Sequence, residues 1–170
     1  MQPYPQASAQ RRCAVLLASA LGLLAGAAWG QGLQGIPRLD ARVTDLTGTL
    51  TAQQQGALDT RLAEFEARKG SQLAVLIVAT TQPEQIEQYG IRVVEQWKLG
   101  REKSDDGALL LVAIQDRRMR IEVGRGLEGA LTDLVSKRII ADTITPLFRQ
   151  VDFAGGINAG IDQMIRVVDG

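Results

Sequence analysis

The sequence contains no histidine and a single cysteine, Cys13. Without histidine, Ser–His and Cys–His nucleophilic pairs cannot be built. With cysteine also nearly absent, a zinc site lacks its ligands. Acidic and basic residues balance, 19 of each, and no basic block interrupts the chain, which argues against nucleic acid as a partner. There is no internal repeat and no low-complexity tail. Beyond residue 30 no apolar run reaches membrane length. Ser71, Ser104 and Ser136 have only Lys or Asp as helpers, at no spacing that suits a Ser–Lys nucleophile, and read as turn or cap residues. Carboxylates are the chemistry that remains.

The first thirty residues stand apart. Arg11 and Arg12 precede the apolar segment Cys13 to Ala28, and Ala28-Trp29-Gly30 puts small residues where a signal peptidase reads. Residues 1–30 are therefore expected to be a secretory signal peptide cleaved after Gly30, the segment being short for a membrane anchor. Export would make the protein periplasmic or secreted. Cleavage removes Cys13, Arg11 and Arg12 but no acid, which leaves a net charge of −2 and no disulfide. The rest of the chain is long enough to bury a core without one.

Residues 31–42 contain Gly32, Gly35 and Pro37 and read as an extended lead-in to a domain over residues 43–170. Val43-Thr44-Asp45-Leu46 is a short β-like patch. Thr51 and Gln54 form a capping-box pattern, Leu58, Leu62 and Phe65 follow at helical spacing, and Lys69-Gly70 ends that helix. Gln72 to Thr80 is an apolar strand of interior type. Ile86, Tyr89, Val93 and Trp97 line one face of a helix that ends near Gly100. Ala108 to Ile114 is a second interior strand, so the strand–helix–strand unit predicts a parallel pair. Arg118 to Val123 alternates, with Met119, Ile121 and Val123 on one side and Arg118, Arg120 and Glu122 on the other. Gln115-Asp116-Arg117 is short enough to join the two runs as a hairpin. A helix capped by Thr132 or Asp133 should break before Pro146, and Gly155-Gly156 should separate a last helix carrying Ile157, Ile161, Met164, Ile165 and Val168. The fold class is α/β: a three-layer α/β/α sandwich around a small, mostly parallel mixed sheet of about four strands.

In an antiparallel hairpin the start of the first strand lies beside the end of the second. That brings Asp105, Asp106 and Gly107 near the segment from Gly124 to Asp133. Gly124-Arg125-Gly126-Leu127-Glu128-Gly129 matches G-x-G-x-x-G, yet its feeding strand is the second arm of a hairpin and Glu128 would repel a pyrophosphate. These glycines are better read as accommodating φ > 0 in a strand-to-helix turn. Oxygen ligands from such loops suit Ca²⁺ or another hard divalent cation. The expected metal-site carboxylates are Asp105, Asp106 and Asp133, set against the plainer reading of a solvated turn and an N-cap. Asp45 joins them only if its segment runs back along the sheet. Arg120 and Glu122 are expected to pair with each other, and Arg125 is a candidate anion contact beside the metal.

Several linked motifs occur in order: V-x-D-x-x-G-x-L at Val43 to Leu50, W-x-x-G at Trp97 to Gly100, D-D-G-x-L-L-L-V-A at Asp105 to Ala113, R-x-x-I-E-V-G-x-G-L-E-G at Arg118 to Gly129, and Thr132-Asp133. The chain from about Ile36 to Val168 resembles the TPM domain of bacterial envelope proteins and of a thylakoid-lumen protein of photosystem II repair. The resemblance implies an α/β/α sandwich with a four-stranded sheet and an acidic pocket near the D-D-G and G-x-G loops. In some members that pocket binds calcium or another divalent ion, which by position would involve Asp105, Asp106, Asp133 and Asp45. It also implies one of two roles: an accessory or interaction module serving an envelope or membrane protein complex, or a metal-assisted acid phosphatase acting on phosphomonoesters. Many bacterial relatives carry a transmembrane helix and a Gly-rich tail after the domain; residues 1–170 do not include them. Phosphoryl transfer needs dense positive stabilisation, and the loop pair offers only Arg125 with Arg101 or Lys103, so the accessory role is the favoured expectation.

Overall fold

In a computed structural model the described residues are 32–170, and the leader expected over residues 1–30 lies outside them. Four strands, β1 (Val43–Asp45), β2 (Gln72–Val78), β3 (Gly107–Ala113) and β4 (Arg118–Val123), form one sheet in the order β1-β2-β3-β4. The first three are parallel, with Val43 opposite Val75 and Gln72 opposite Gly107. β4 returns antiparallel, which pairs Ala108 with Val123. The hairpin lacks Asn-Gly, and Arg117 takes the left-handed conformation instead, at φ 53°.

The continuous apolar runs of β2 and β3 reflect a sheet covered on both faces. Leu73, Val75 and Ile77 with Leu110 and Val112 pack under helices α1 (Ala52–Lys69) and α5 (Phe153–Asp169). Ala74, Leu76 and Val78 with Leu109 and Leu111 pack under α2 (Ile86–Trp97). The Thr51–Gln54 capping box is formed in both directions, and Gly70 closes α1 at φ 83°. Two steps in the same direction across the sheet, made over opposite faces, cannot share a hand. One of the β1-α1-β2 and β2-α2-β3 crossovers is therefore left-handed, against the usual preference.

The lead-in is extended and bonded to α2. The Tyr89 hydroxyl donates to the Gly35 carbonyl at 3.0 Å, and the Trp97 indole N–H to the Pro37 carbonyl at 2.8 Å. Arg92, ion-paired with buried Glu84, donates to the Gln34 carbonyl at 2.9 Å.

The C-terminal third departs from expectation in two places. The predicted break before Pro146 is a change of winding: α3 (Asp133–Arg138) runs into a π-helical segment (Ile139–Ile144) and then α4 (Thr145–Arg149). Pro146 has no N–H to give, and the Thr145 amide reaches back to the Ile140 carbonyl across a widened turn. Gly155-Gly156 does not separate helices; both lie in the first turn of α5. Asp152 caps it, with Oδ1 accepting from the Gly155 amide at 2.8 Å. A Cβ at Gly156 would stand 2.6 Å from the Phe148 ring, so close packing requires glycine there. No helix among the described residues is long and apolar enough to cross a membrane.

Candidate functional site

The antiparallel register of β3 and β4 draws their flanking loops together at one end of the sheet. The Gly124 amide donates to the Gly107 carbonyl at 2.8 Å, and the Gly126 amide to the Asp105 carbonyl at 2.9 Å. The Arg125 amide donates to Asp105 Oδ2 at 3.1 Å. The expected reason for the glycines is corrected by this geometry. Neither Gly124 nor Gly126 has a positive φ; Lys98, Gly100 and Asp105 carry the left-handed conformations here. Gly124 and Gly126 are required by contact: an added Cβ would lie 2.3 Å from the Asp105 carbonyl oxygen and 2.2 Å from that of Ser104.

The joined loops and the end of α2 frame a cleft of about 780 Å³. Lys98, Arg101, Lys103 and Arg125 line it together with Glu95, Glu102, Asp105, Glu122 and Glu128. The segment Lys98–Gly100, not singled out as site-forming from the sequence, makes one wall. Gly100 N–H donates to Gln72 Oε1 at 2.7 Å, and the backbone of Leu99 presses on Gly107. The W-x-x-G spacing was the available signal. Glu122 forms the expected pair with Arg120 at 2.6 Å, and its buried carboxylate tucks against Gly90 of α2.

The four expected metal ligands go to different places. Asp105 faces the cleft. Asp106 turns into the protein and is 4% exposed; Oδ1 accepts from the Arg101 amide at 2.8 Å and Oδ2 from Arg101 Nε at 2.9 Å. Burial pushes the Asp106 carboxyl up, but the Arg101 hydrogen bonds and charge outweigh it and hold it below the ordinary carboxylate range. Asp133 is the first residue of α3, capped by Thr132, and its 74%-exposed side chain binds Lys137 Nζ at 2.6 Å. The Lys137 hydrogen bond, with help from the charge of Arg120, holds the Asp133 carboxyl below its usual range. Asp45 ends β1, and because β1 to β3 are parallel it sits at the opposite end of the sheet from Asp105. There it closes a turn by accepting from Thr47 N and Leu50 N, each at 2.8 Å.

Calcium takes six to eight oxygen ligands around one point. Asp45, Asp105, Asp106 and Asp133 do not converge on one, and among the described residues no group of three acidic side chains is placed to hold an ion. The expected quartet therefore does not fit a single metal centre, because neighbouring carboxylates face opposite ways and two are committed to Arg101 and Lys137.

The profile of the TPM domain matches residues 43–167. Comparison with curated proteins finds no match. Among solved structures, the N-terminal domain of a protein from P. gingivalis is similar, with 33% identity, TM-score 0.71, and coverage of 76% of this chain and 83% of that one. The BA42 protein of the psychrophilic bacterium Bizionia argentinensis aligns at 20% identity and TM-score 0.62, covering 73% of this chain and 84% of its own. The N-terminal domain of the cg2496 protein from Corynebacterium glutamicum aligns at 14% identity and TM-score 0.60, covering 78% and 83%. The last two share the fold. With its profile matched across the domain and a third of its residues shared over most of a solved relative, the chain belongs to the TPM domain family.

Proposed function

We propose that this TPM domain is an exported accessory module of the cell envelope, and that a protein partner is recognised at the cleft between the Lys98–Gly107 and Glu122–Glu128 segments. The observation that carries this reading is the cleft itself: four cations and five carboxylates interleaved on backbone that is hydrogen-bonded across the two loops. A surface of alternating sign is read by a partner of complementary pattern, which gives specificity more than raw affinity. Hydrolysis of phosphomonoesters is less well supported. A phosphate dianion in this cleft would meet five carboxylates, and no histidine or cysteine lines it to act as base or nucleophile. No step of the proposal runs through a metal ion, since the expected ligand quartet does not fit one.

The test is a paired one. Wild type and the double variant Lys103→Glu/Arg125→Glu are used as bait in envelope extract, with and without calcium, at low and high salt. A partner held by wild type, lost with the double variant and released by salt supports the reading, because exposed charges are screened over roughly 10 Å at 0.1 M salt. In parallel, p-nitrophenyl phosphate is offered with Ca²⁺ or Mg²⁺. Phosphate release that falls to background in Asp105→Asn would overturn the proposal in favour of a hydrolase.

A further inference from the structure

At the carboxyl end of β3, away from the charged cleft, lies a second groove of about 600 Å³. Met119, Phe148 and Phe153 give it an apolar floor, exposed Val151 also lines it, and the Phe148 and Phe153 rings meet edge to face at 5.0 Å. Arg117, Arg118 and Arg149 line it, and no acid does. Arg118 is paired with Glu87 at 3.5 Å; Arg117 and Arg149 have no ion pair among the described residues. The nearest acids in sequence are engaged elsewhere. Asp116 accepts from Thr80 Oγ1 and the Thr81 amide, and Asp152 caps α5. Val151 is held at φ 63°, a conformation that β-branched residues rarely adopt, and is 72% exposed. The chain thus keeps an apolar side chain in water beside two free guanidinium groups.

We propose that this groove docks an acidic polypeptide segment carrying an apolar anchor residue. The anchor would rest on Met119, Phe148 and Phe153, and flanking carboxylates would meet Arg117 and Arg149. Guanidinium groups match carboxylates in planar, two-point geometry, and methionine with aromatic rings adapts to a single inserted side chain. The groove is concave and its size suits a side chain with its neighbours. A lipid surface is instead met by the apolar face of an amphipathic helix lying in the interface, whereas the apolar residues here line a concave groove. The site goes beyond the proposed recognition at the charged cleft and lies at the other end of the sheet.

The experiment is a titration of the ¹⁵N-labelled protein with the blocked peptide EDLFDE, followed by amide chemical shifts. Saturable shifts confined to residues 117–119 and 148–153 are expected, with KKLFKK and EDSSDE giving none. Arg117→Glu/Arg149→Glu should weaken binding by roughly tenfold or more. Val151→Gly should weaken it while raising Tm, a split that a purely structural residue would not produce. The proposal is overturned by an absence of saturable shifts at millimolar EDLFDE, or by an equal response to KKLFKK. Preference for phosphatidylglycerol vesicles over the peptide, or self-association of the protein through this face, overturns it as well.

Discussion

Asp106 acts by staying ionised. Its carboxylate is buried and closes the Arg101–Asp106 loop from inside, so the wall of the cleft depends on its charge. Because its folded value lies below the unfolded one, its stabilisation is present at neutral pH. That stabilisation fades as the pH falls from about 4 through the depressed folded value. Asp116 shares the direction: burial raises its carboxyl, and the Thr81 amide, the Thr80 and Thr81 hydroxyls and the charge of Arg118 bring it lower. Asp106→Asn should therefore reduce stability at pH 6 by about 1.5–3 kcal/mol and make the acid limb below about pH 4 shallower than in wild type. Thermal melts between pH 6 and pH 2 check both; an unchanged acid limb would contradict the assignment. At this scale the sequence was least informative. It placed Asp105 and Asp106 correctly at a loop–loop junction, but two adjacent residues point to opposite sides. Which one meets Arg101 depends on how the loop closes.

The elements themselves were legible where local chemistry and hydrophobic period agree. The Thr51–Gln54 box, the apolar runs of β2 and β3, the stripe of α2 and the β3–β4 hairpin all formed as expected. The misreadings fell where spatial neighbours override local preference. Gly155-Gly156 resembles a linker until Phe148 packs on it, and the G-x-G glycines resemble turn residues until the Ser104 and Asp105 carbonyls press on them. Gly126→Ala tests that second point. The new methyl cannot fit at 2.2 Å from the Ser104 oxygen, so the loops must part. Overpacking of this kind typically costs about 1–3 kcal/mol. Urea unfolding should register the loss, and amide exchange should quicken at Gly124 and Gly126 before it does in β2.

For the whole molecule, covering both faces of a four-stranded sheet requires α2 on one side and α1 with α5 on the other. Periodicity predicted the layers; it carried no information on crossover hand, which arises from which face each helix finally covers. The bonding of the lead-in was equally hidden, because it rests mainly on the carbonyls of Gln34, Gly35 and Pro37, which every sequence has; only the Gln34 side-chain amide, donating to the Gln82 carbonyl at 2.8 Å, adds a residue-specific bond. Arg92→Ala should leave buried Glu84 without its counter-charge and release Gln34. An expected loss of about 3 kcal/mol should come with faster tryptic cleavage after Arg38, whose side chain is already 88% exposed.

The two margins of the sheet matter for how the protein behaves in a crowd. One margin is β1, three residues long; the other is β4, with Arg118, Arg120 and Glu122 along it. A chain whose charges nearly cancel has little long-range repulsion to keep its copies dispersed. Stacking into fibrils through open strands is instead discouraged locally, by a rim too brief at one side and too polar at the other to template a fifth strand.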